Sequence, residues 1–325
     1  MKEEHIRPQE IFNEFLRLAV ADIPRFFPDP QRTRISCPAC GGASGFAFVK
    51  HGFQYDECPD CRTLFVNPRP PAEAFYDYYQ NGESVKYWAS TFYRATADAR
   101  RESLWKPKAR AVRDLLLRLG CEAAALVDIG GGYGIFAEEY RLLTDQEVVV
   151  IEPSHELAAV CKKRNLHVVE EFLENVSEKQ LPQGRKAFLS FELFEHLHEP
   201  AVFCEHLFRL MAPGDIFLFT TLSGTGLDIR VLWQDSKAVA PPHHLNFFNP
   251  KSVKLLLERI GFKVLEATTP GRLDVDILRN NRALIQDRFW RTFIDEGEEG
   301  DFAAMQDLVT ARRLSSHMMI VCTRA

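Results

Sequence analysis

Between residues 124 and 267 short apolar runs alternate with helical stretches, and this alternation limits the chain to few folds. The runs fall at 124–129, 148–151, 167–169, 188–191, 216–220 and 262–267, and helical spacing fills 135–142, 155–164, 200–210 and 250–260. Strands and helices in turn at these lengths imply βαβ units, hence a mostly parallel sheet covered by helices on both faces. A seventh run, 318–323, reads as a C-terminal strand pairing antiparallel at one edge of the sheet. The predicted fold class is α/β, a doubly wound, seven-stranded Rossmann-like sheet, with a charged helical insertion at about 270–314.

At 325 residues the chain has room for more than this one unit. Ile11, Phe12, Phe15, Leu16, Leu18 and Ala19 recur near helical spacing, and Pro24, Pro28 and Pro30 are expected to end that N-terminal helix, within residues 1–34. Residues 35–70 carry paired cysteines and close on Asn67-Pro68-Arg69-Pro70-Pro71, which marks off a small module. Residues 71–120 form a helical cover or linker, helical at 71–79 and 90–119. Pro107 is expected in the first turn of a new helix, where its missing N–H costs nothing. Residues 121–325 then make the sheet domain.

The first run of the sheet ends in Asp128-Ile129-Gly130-Gly131-Gly132-Tyr133-Gly134, where glycines permit a tight turn and close approach of a ligand to the backbone. A dinucleotide fingerprint, G-x-G-x-x-G/A, fails because Ile135 stands at its third glycine position. Asp128 at the strand tip would repel a pyrophosphate and attract a cationic ligand. S-adenosylmethionine is such a ligand, and its ribose needs an acid at the end of the next strand, where Glu152 and Pro153 stand.

With Asp128-x-Gly130-x-Gly132-x-Gly134, Glu152, Ser190-Phe191-Glu192-Leu193-Phe194-Glu195-His196 after the fourth run and Leu210-Met211-Ala212-Pro213-Gly214 before the fifth, the sequence resembles the class I S-adenosylmethionine-dependent methyltransferases. The resemblance covers about residues 120–268 and implies that Asp128, Gly130, Gly131, Gly132, Tyr133, Gly134, Glu152, Pro153, Phe191 and Glu192 bind the cofactor. Two positions depart from the family: Lys186 or Ala187 replaces the acid opening the fourth strand, and Thr220-Thr221-Leu222-Ser223 replaces T-T-P-N.

Cys37-Pro38-Ala39-Cys40 and Cys58-Pro59-Asp60-Cys61 are two C-x-x-C knuckles with 17 residues between them, a zinc spacing. Four thiolates close a tetrahedral ion, so the zinc is expected to be structural. Lys50 is the one lysine or arginine from Cys37 to Cys61, a poor phosphate surface. Together with the aromatic run Phe75-Tyr76-Asp77-Tyr78-Tyr79, this zinc-ribbon module resembles the N-terminal extension of a subgroup of bacterial methyltransferases. Cys121, Cys161, Cys204 and Cys322 lack partner spacing and read as buried apolar residues.

A methyl acceptor belongs at the carboxyl ends of the strands. Glu195-His196 and His243-His244 stand there as candidate catalytic residues, a neutral histidine being suited to take a proton from the acceptor. His243 and His244 are expected to point apart in extended backbone, with Trp233, Phe247 and Phe248 walling the pocket. Eight basic residues against three acidic ones from Arg94 to Arg118 would suit an anionic acceptor, a phosphorylated or nucleotide-linked metabolite or sugar. The net charge of -5 argues against nucleic acid as partner, and the absence of a long apolar run argues against a membrane. With no signal-peptide pattern at residues 1–5 the expected location is the cytoplasm. The rival readings are an RNA or protein methyltransferase and a nonenzymatic zinc-binding interaction module on a degenerate Rossmann scaffold.

Overall fold

A computed structural model describes residues 3–28, 31–122 and 124–325; the readings placed on residues 1–2 and on Pro30 lie outside the described residues. Two helices open the chain, α1 (Glu3–Ile6) and α2 (Gln9–Phe26). Phe12, Phe15, Ala19, Ile23 and Phe26 repeat at helical spacing and are all buried. Pro24 lies inside α2 and does not end it. The carbonyl bond it forfeits belongs to Val20, an exposed residue, so the loss is cheap there.

A four-stranded antiparallel sheet follows, built from β1 (Gly45–Lys50), β2 (Phe53–Glu57), β3 (Leu64–Val66) and a distant fourth strand, β9 (Asn246–Phe247). Cys37, Cys58, Cys61 and Phe65 share one apolar cluster with Val127, Phe188 and Phe217 of the main sheet. The cysteine segment is thereby fused to the rest of the molecule.

After α3 (Ala72–Asn81) one helical stretch runs from 83 to 118. It consists of α4 (Glu83–Tyr87), a π-helical turn (Trp88–Phe92), α5 (Tyr93–Arg100), a second π turn (Arg101–Trp105) and α6 (Lys106–Arg118). Pro107 stands in the first turn of α6, as expected, and α6 follows directly on the π turn that ends at Trp105.

The main sheet contains β4 (Ala125–Ile129), β5 (Val148–Ile151), β6 (His167–Val169), β7 (Lys186–Phe191), β8 (Ile216–Leu222), β10 (Phe262–Thr268) and β11 (His317–Arg324). Its order is β10-β11-β8-β7-β4-β5-β6, with β4 to β8 parallel. Helices α7 (Ile135–Arg141), α8 (His155–Lys163), α9 (Pro200–Leu210) and α11 (Pro250–Ile260) make the connections. The helical insertion comprises α12 (Asp274–Asn280), α13 (Arg288–Glu296) and α14 (Glu299–Ala311), packed on α10 (Leu227–Leu232). β11 does not lie at the edge: it sits between β8 and β10, antiparallel to both. Met318, Ile320, Val321 and Cys322 are accordingly buried on both faces. The chain leaves β4 in one direction for β5 and returns on its other side at β7, so a crevice opens at the carboxyl ends of β4 and β7.

Candidate active site

At that crevice Gly130, Gly132 and Gly134 take φ of 69°, 56° and 67°, which L side chains adopt only with strain. A Cβ on Gly131 would come within 2.6 Å of Val150 Cγ1. The turn is bare because both conformation and space forbid side chains, and a ligand can meet its backbone directly. Glu152, at the end of β5, accepts the Gly132 N–H on Oε2 at 2.8 Å and the Ser154 N–H on Oε1 at 3.0 Å. A carboxylate has about four acceptor positions, so about two remain for ligand hydroxyls. Pro153 is exposed beside it.

Asp128 is buried, and its Oδ2 has no hydrogen-bond partner among the described residues. Burial, then the neighbouring Glu152, pushes its pKa up to about 7 against the pull of Lys108. Burial likewise pushes Glu152 up to about 7, although its two backbone N–H bonds resist. A buried oxygen without a donor and two acids held near neutrality describe a site short of cations and donors. This donor set and the bare cradle fit S-adenosylmethionine.

The cover closes over the turn: Tyr133 stacks on Tyr93 at 4.3 Å, and its hydroxyl donates to the Ala89 carbonyl in the first π turn. The Phe191 ring lies 4.5 Å below Lys108 Nζ. Glu192, at φ 52°, accepts the Thr220 hydroxyl at 2.5 Å and lies 2.8 Å from His317 Nε2. Burial would raise its pKa, but His317, Lys108 and Thr220 together hold it well below the carboxylate range.

On the acceptor side, Glu195 is buried and accepts the Thr221 hydroxyl at 2.8 Å; burial, then Glu192, pushes it up to about 8. Its backbone carbonyl accepts the Leu245 N–H at 2.8 Å, which ties the His196 turn to the loop carrying the histidine pair. That loop is a turn closed by the His244 N–H on the Ala240 carbonyl, not extended backbone. Both rings therefore flank His196, His243 at 6.3 Å and His244 at 4.8 Å, instead of pointing apart.

The three histidines differ in what is left free. His243 is buried, with Nε2 2.6 Å from the Tyr78 hydroxyl and its ring 4.8 Å from Phe15, an architectural placement. His244 is half-buried and its Nδ1 donates to the Ala238 carbonyl at 2.6 Å, so the proton is on Nδ1 and the lone pair on Nε2. His196, also half-buried, faces the Tyr79 hydroxyl at 3.3 Å. Burial, opposed by the Ala238 carbonyl, holds His244 down to about 4, and burial with His244 holds His196 down to about 3. Both are neutral near pH 7. One ligand atom each from Glu195, His196 and His244 gather within 4.8 Å of one another.

Three aromatic residues expected at the pocket belong to the core: Phe248 packs on Phe194, Phe247 on Tyr55 and Trp233 on Phe48. The basic stretch is also largely spent internally. Arg101 pairs with Glu138 and Glu139, Lys106 with Glu102, Lys108 with Glu192, Arg113 with Asp114 and Arg118 with Glu266. Sequence reasoning missed Tyr78, Tyr79, Lys108 and His317 as parts of the site. The tyrosines stood in a conspicuous aromatic run; nothing local marked Lys108 or His317.

The four cysteines also converge, with Sγ–Sγ distances of 3.5 Å (Cys37 to Cys61) and 3.6 Å (Cys40 to Cys58). Zinc–sulfur bonds of about 2.3 Å in a tetrahedron place sulfurs about 3.8 Å apart. The two knuckles share one backbone pattern: Gly41 N–H to the Cys37 carbonyl and Cys37 N–H to Gly42, then Arg62 N–H to Cys58 and Cys58 N–H to Thr63. Gly41 and Arg62 both take positive φ. The donor set fits one structural zinc ion. Cys121, Cys161, Cys204 and Cys322 are buried free thiols.

Among the described residues no helix is long and apolar enough to cross a membrane. The chain is 25% identical over 159 residues to the mitochondrial ubiquinone biosynthesis O-methyltransferase of Arabidopsis thaliana, a match covering 45% of this chain and 48% of that protein. The chain thus spans about half the length of the curated relative it matches. Among solved structures it is similar to a plantazolicin methyltransferase bound to a monoazolic desmethyl analogue and S-adenosylhomocysteine, with TM-score 0.50, 11% identity and coverage of 77% of this chain and 93% of that one. It is also similar to the magnesium protoporphyrin IX methyltransferase of Synechocystis with bound S-adenosylhomocysteine, with TM-score 0.46, 11% identity and coverage of 74% and 97%. A family profile described as a methyltransferase domain matches residues 101–267, just over half of the sequence and the span that holds the glycine turn, Glu152 and Glu192. By that match the chain belongs to the methyltransferase domain family.

Proposed function

We propose that this protein transfers the methyl group of S-adenosylmethionine to a small-molecule acceptor held beside His196 and His244. The observation that carries the reading is the pairing of the bare glycine turn with two buried acids, one holding an unpartnered oxygen, at the carboxyl crevice of the sheet. The cofactor would supply an electrophilic methyl carbon on its sulfonium. Glu152 would hold the ribose hydroxyls with its remaining acceptor positions, and Asp128 would face the cationic end.

His244 Nε2, the free lone pair, is the group placed to take the acceptor's proton, and Glu195 with Thr221 fixes the loop beside it. A base whose conjugate acid lies near 4 is weak, so alignment of acceptor and methyl carbon does most of the work. Oxygen is the favoured acceptor atom, since the curated relative is an O-methyltransferase. With Arg101, Lys106, Lys108, Arg113 and Arg118 of the basic stretch held in ion pairs, an uncharged acceptor suits the site better than a phosphorylated one. Four free thiols are in keeping with a reducing compartment such as the cytoplasm.

A macromolecular acceptor is disfavoured because the Lys50 ammonium, the one lysine between the knuckles, is spent on the Ser236 carbonyl. The nonenzymatic reading would have the cleft filled by side chains, whereas Asp128 Oδ2 is left without a partner. The test is transfer of tritiated methyl from S-adenosylmethionine to a panel of phenols, sugars, sugar phosphates, RNA and protein. Label in a neutral small molecule supports the reading. Transfer only to RNA or protein, or no binding of the cofactor at all, overturns it.

A further inference from the structure

We propose that Arg100 is the counter-ion for the amino-acid carboxylate of the cofactor. This rests on the cofactor reading above and adds an ionic contact that the acids beside the glycine turn cannot make. The cofactor carries a sulfonium, an ammonium and one carboxylate. Asp128, Glu152 and Glu192 can attract the first two and would repel the third. A cation on the cover, which lies across the mouth of the site, would offset that repulsion and meet the carboxylate.

Arg100 ends α5 of that cover. Its Nε is fully buried and has no hydrogen-bond partner among the described residues. One terminal nitrogen reaches the Ile6 carbonyl, at a long 3.4 Å, and among the described residues no carboxylate lies within 4.0 Å of the guanidinium. Its neighbours contrast with it: Arg101 is held by two glutamates and Lys108 lies 4.0 Å from Glu192. Burial holds the Arg100 guanidinium below its ordinary range. A guanidinium taken out of water without an anion is costly unless a ligand supplies one.

Position agrees with this role. The Arg100 Cζ stands 5.4 Å over the Tyr93 ring, and Tyr93 is stacked on Tyr133 of the glycine turn. Arg100 also lies close enough to Glu192, at the tip of β7, for its charge to be felt. It thus spans the gap between the turn and the edge of the acceptor side, where the methionyl end of the ligand would lie if the ribose is on Glu152. The planar fork of arginine matches a carboxylate with two parallel N–H bonds, which a lysine cannot do.

The competing role is structural, a tie from the cover to α1 through Ile6. Two ligands separate the roles: S-adenosylhomocysteine carries the carboxylate, and 5′-methylthioadenosine has the same nucleoside and sulfur without the amino acid. Calorimetric titration of the full-length zinc-loaded protein and of Arg100→Gln and Arg100→Lys should show S-adenosylhomocysteine weakened about 10- to 100-fold by glutamine and less by lysine. The affinity for 5′-methylthioadenosine should stay within about twofold. Equal weakening of both ligands assigns Arg100 to structure and overturns the proposal, as does unchanged S-adenosylhomocysteine binding. If the wild-type protein binds neither ligand, the cofactor reading itself fails, and this assignment with it.

Discussion

Replacing Glu152 with glutamine separates two costs that the structure assigns to different measurements. In the wild type each carboxylate oxygen accepts one backbone N–H, from Gly132 at 2.8 Å and from Ser154 at 3.0 Å. An amide has one oxygen, so its NH₂ must face one of these N–H donors. That clash is present with and without ligand and belongs to stability. An unsatisfied buried donor costs about 1–3 kcal/mol, which in a chain of this size lowers the melting temperature by about 1–4 °C. The ribose bonds exist only in the complex and belong to affinity. Losing one hydrogen bond to a charged acceptor costs about 1.5–3 kcal/mol, or roughly 10- to 150-fold in Kd. Titration with S-adenosylhomocysteine is best done near pH 8.5, because burial pushes Glu152 up to about 7 and the carboxylate must be ionised for the comparison. A variant that melts lower yet binds within threefold of wild type would refute the assignment of Glu152 to the ribose.

Elemental analysis should find one zinc per chain, and Cys37→Ser should lose it and destabilise the four-stranded sheet, since metal binding there is part of folding; a stable, metal-free wild-type protein would contradict this. His244→Asn should retain cofactor affinity while lowering turnover by about 10- to 10³-fold, and any wild-type rate limb owed to His244 should fall near pH 4 and not near 6.5. Burial, then Asp274, pushes the buried Asp228 carboxyl up to about 8 from 3.8. Its protonated form is the one the fold prefers, so its contribution is full below about pH 4 and is lost as pH rises through about 8. Asp228→Asn, which imitates the protonated acid, should therefore gain in melting temperature relative to wild type between pH 5 and 8.5; a constant difference would show that Asp228 keeps its ordinary pKa.

The apolar runs from 124 to 267 were legible because a doubly covered strand is apolar along nearly its whole length, as β5 is throughout and β4 is apart from Asp128. The same signal says that a strand is buried but not between which neighbours, and so β11 was expected at the edge. A two-residue strand such as β9 leaves no periodic trace, which is why the cysteine segment read as separate from the sheet domain. At the site, the glycines and Glu152 were legible from chemistry at fixed spacing. Lys108 and Arg100 were not, because on a charged helix the sequence cannot tell the cation turned inward from its exposed neighbours Arg94 and Arg110. The histidine loop was misread because period-two reasoning holds in strands and His243-His244 lie in a turn.

Equilibrium binding to the intact protein decides whether the crevice between β4 and β7 is a site for S-adenosylmethionine. Asp128 and Glu152, both pushed up to about 7 by burial, must ionise to hold a cationic ligand. Titration with S-adenosylmethionine at pH 6, 7 and 8 should give one site whose Kd falls as pH rises, by up to about tenfold per pH unit for each carboxylate below its pKa, with no heat from NAD at any pH. Saturable NAD binding, or a protein that binds neither ligand, would contradict the account.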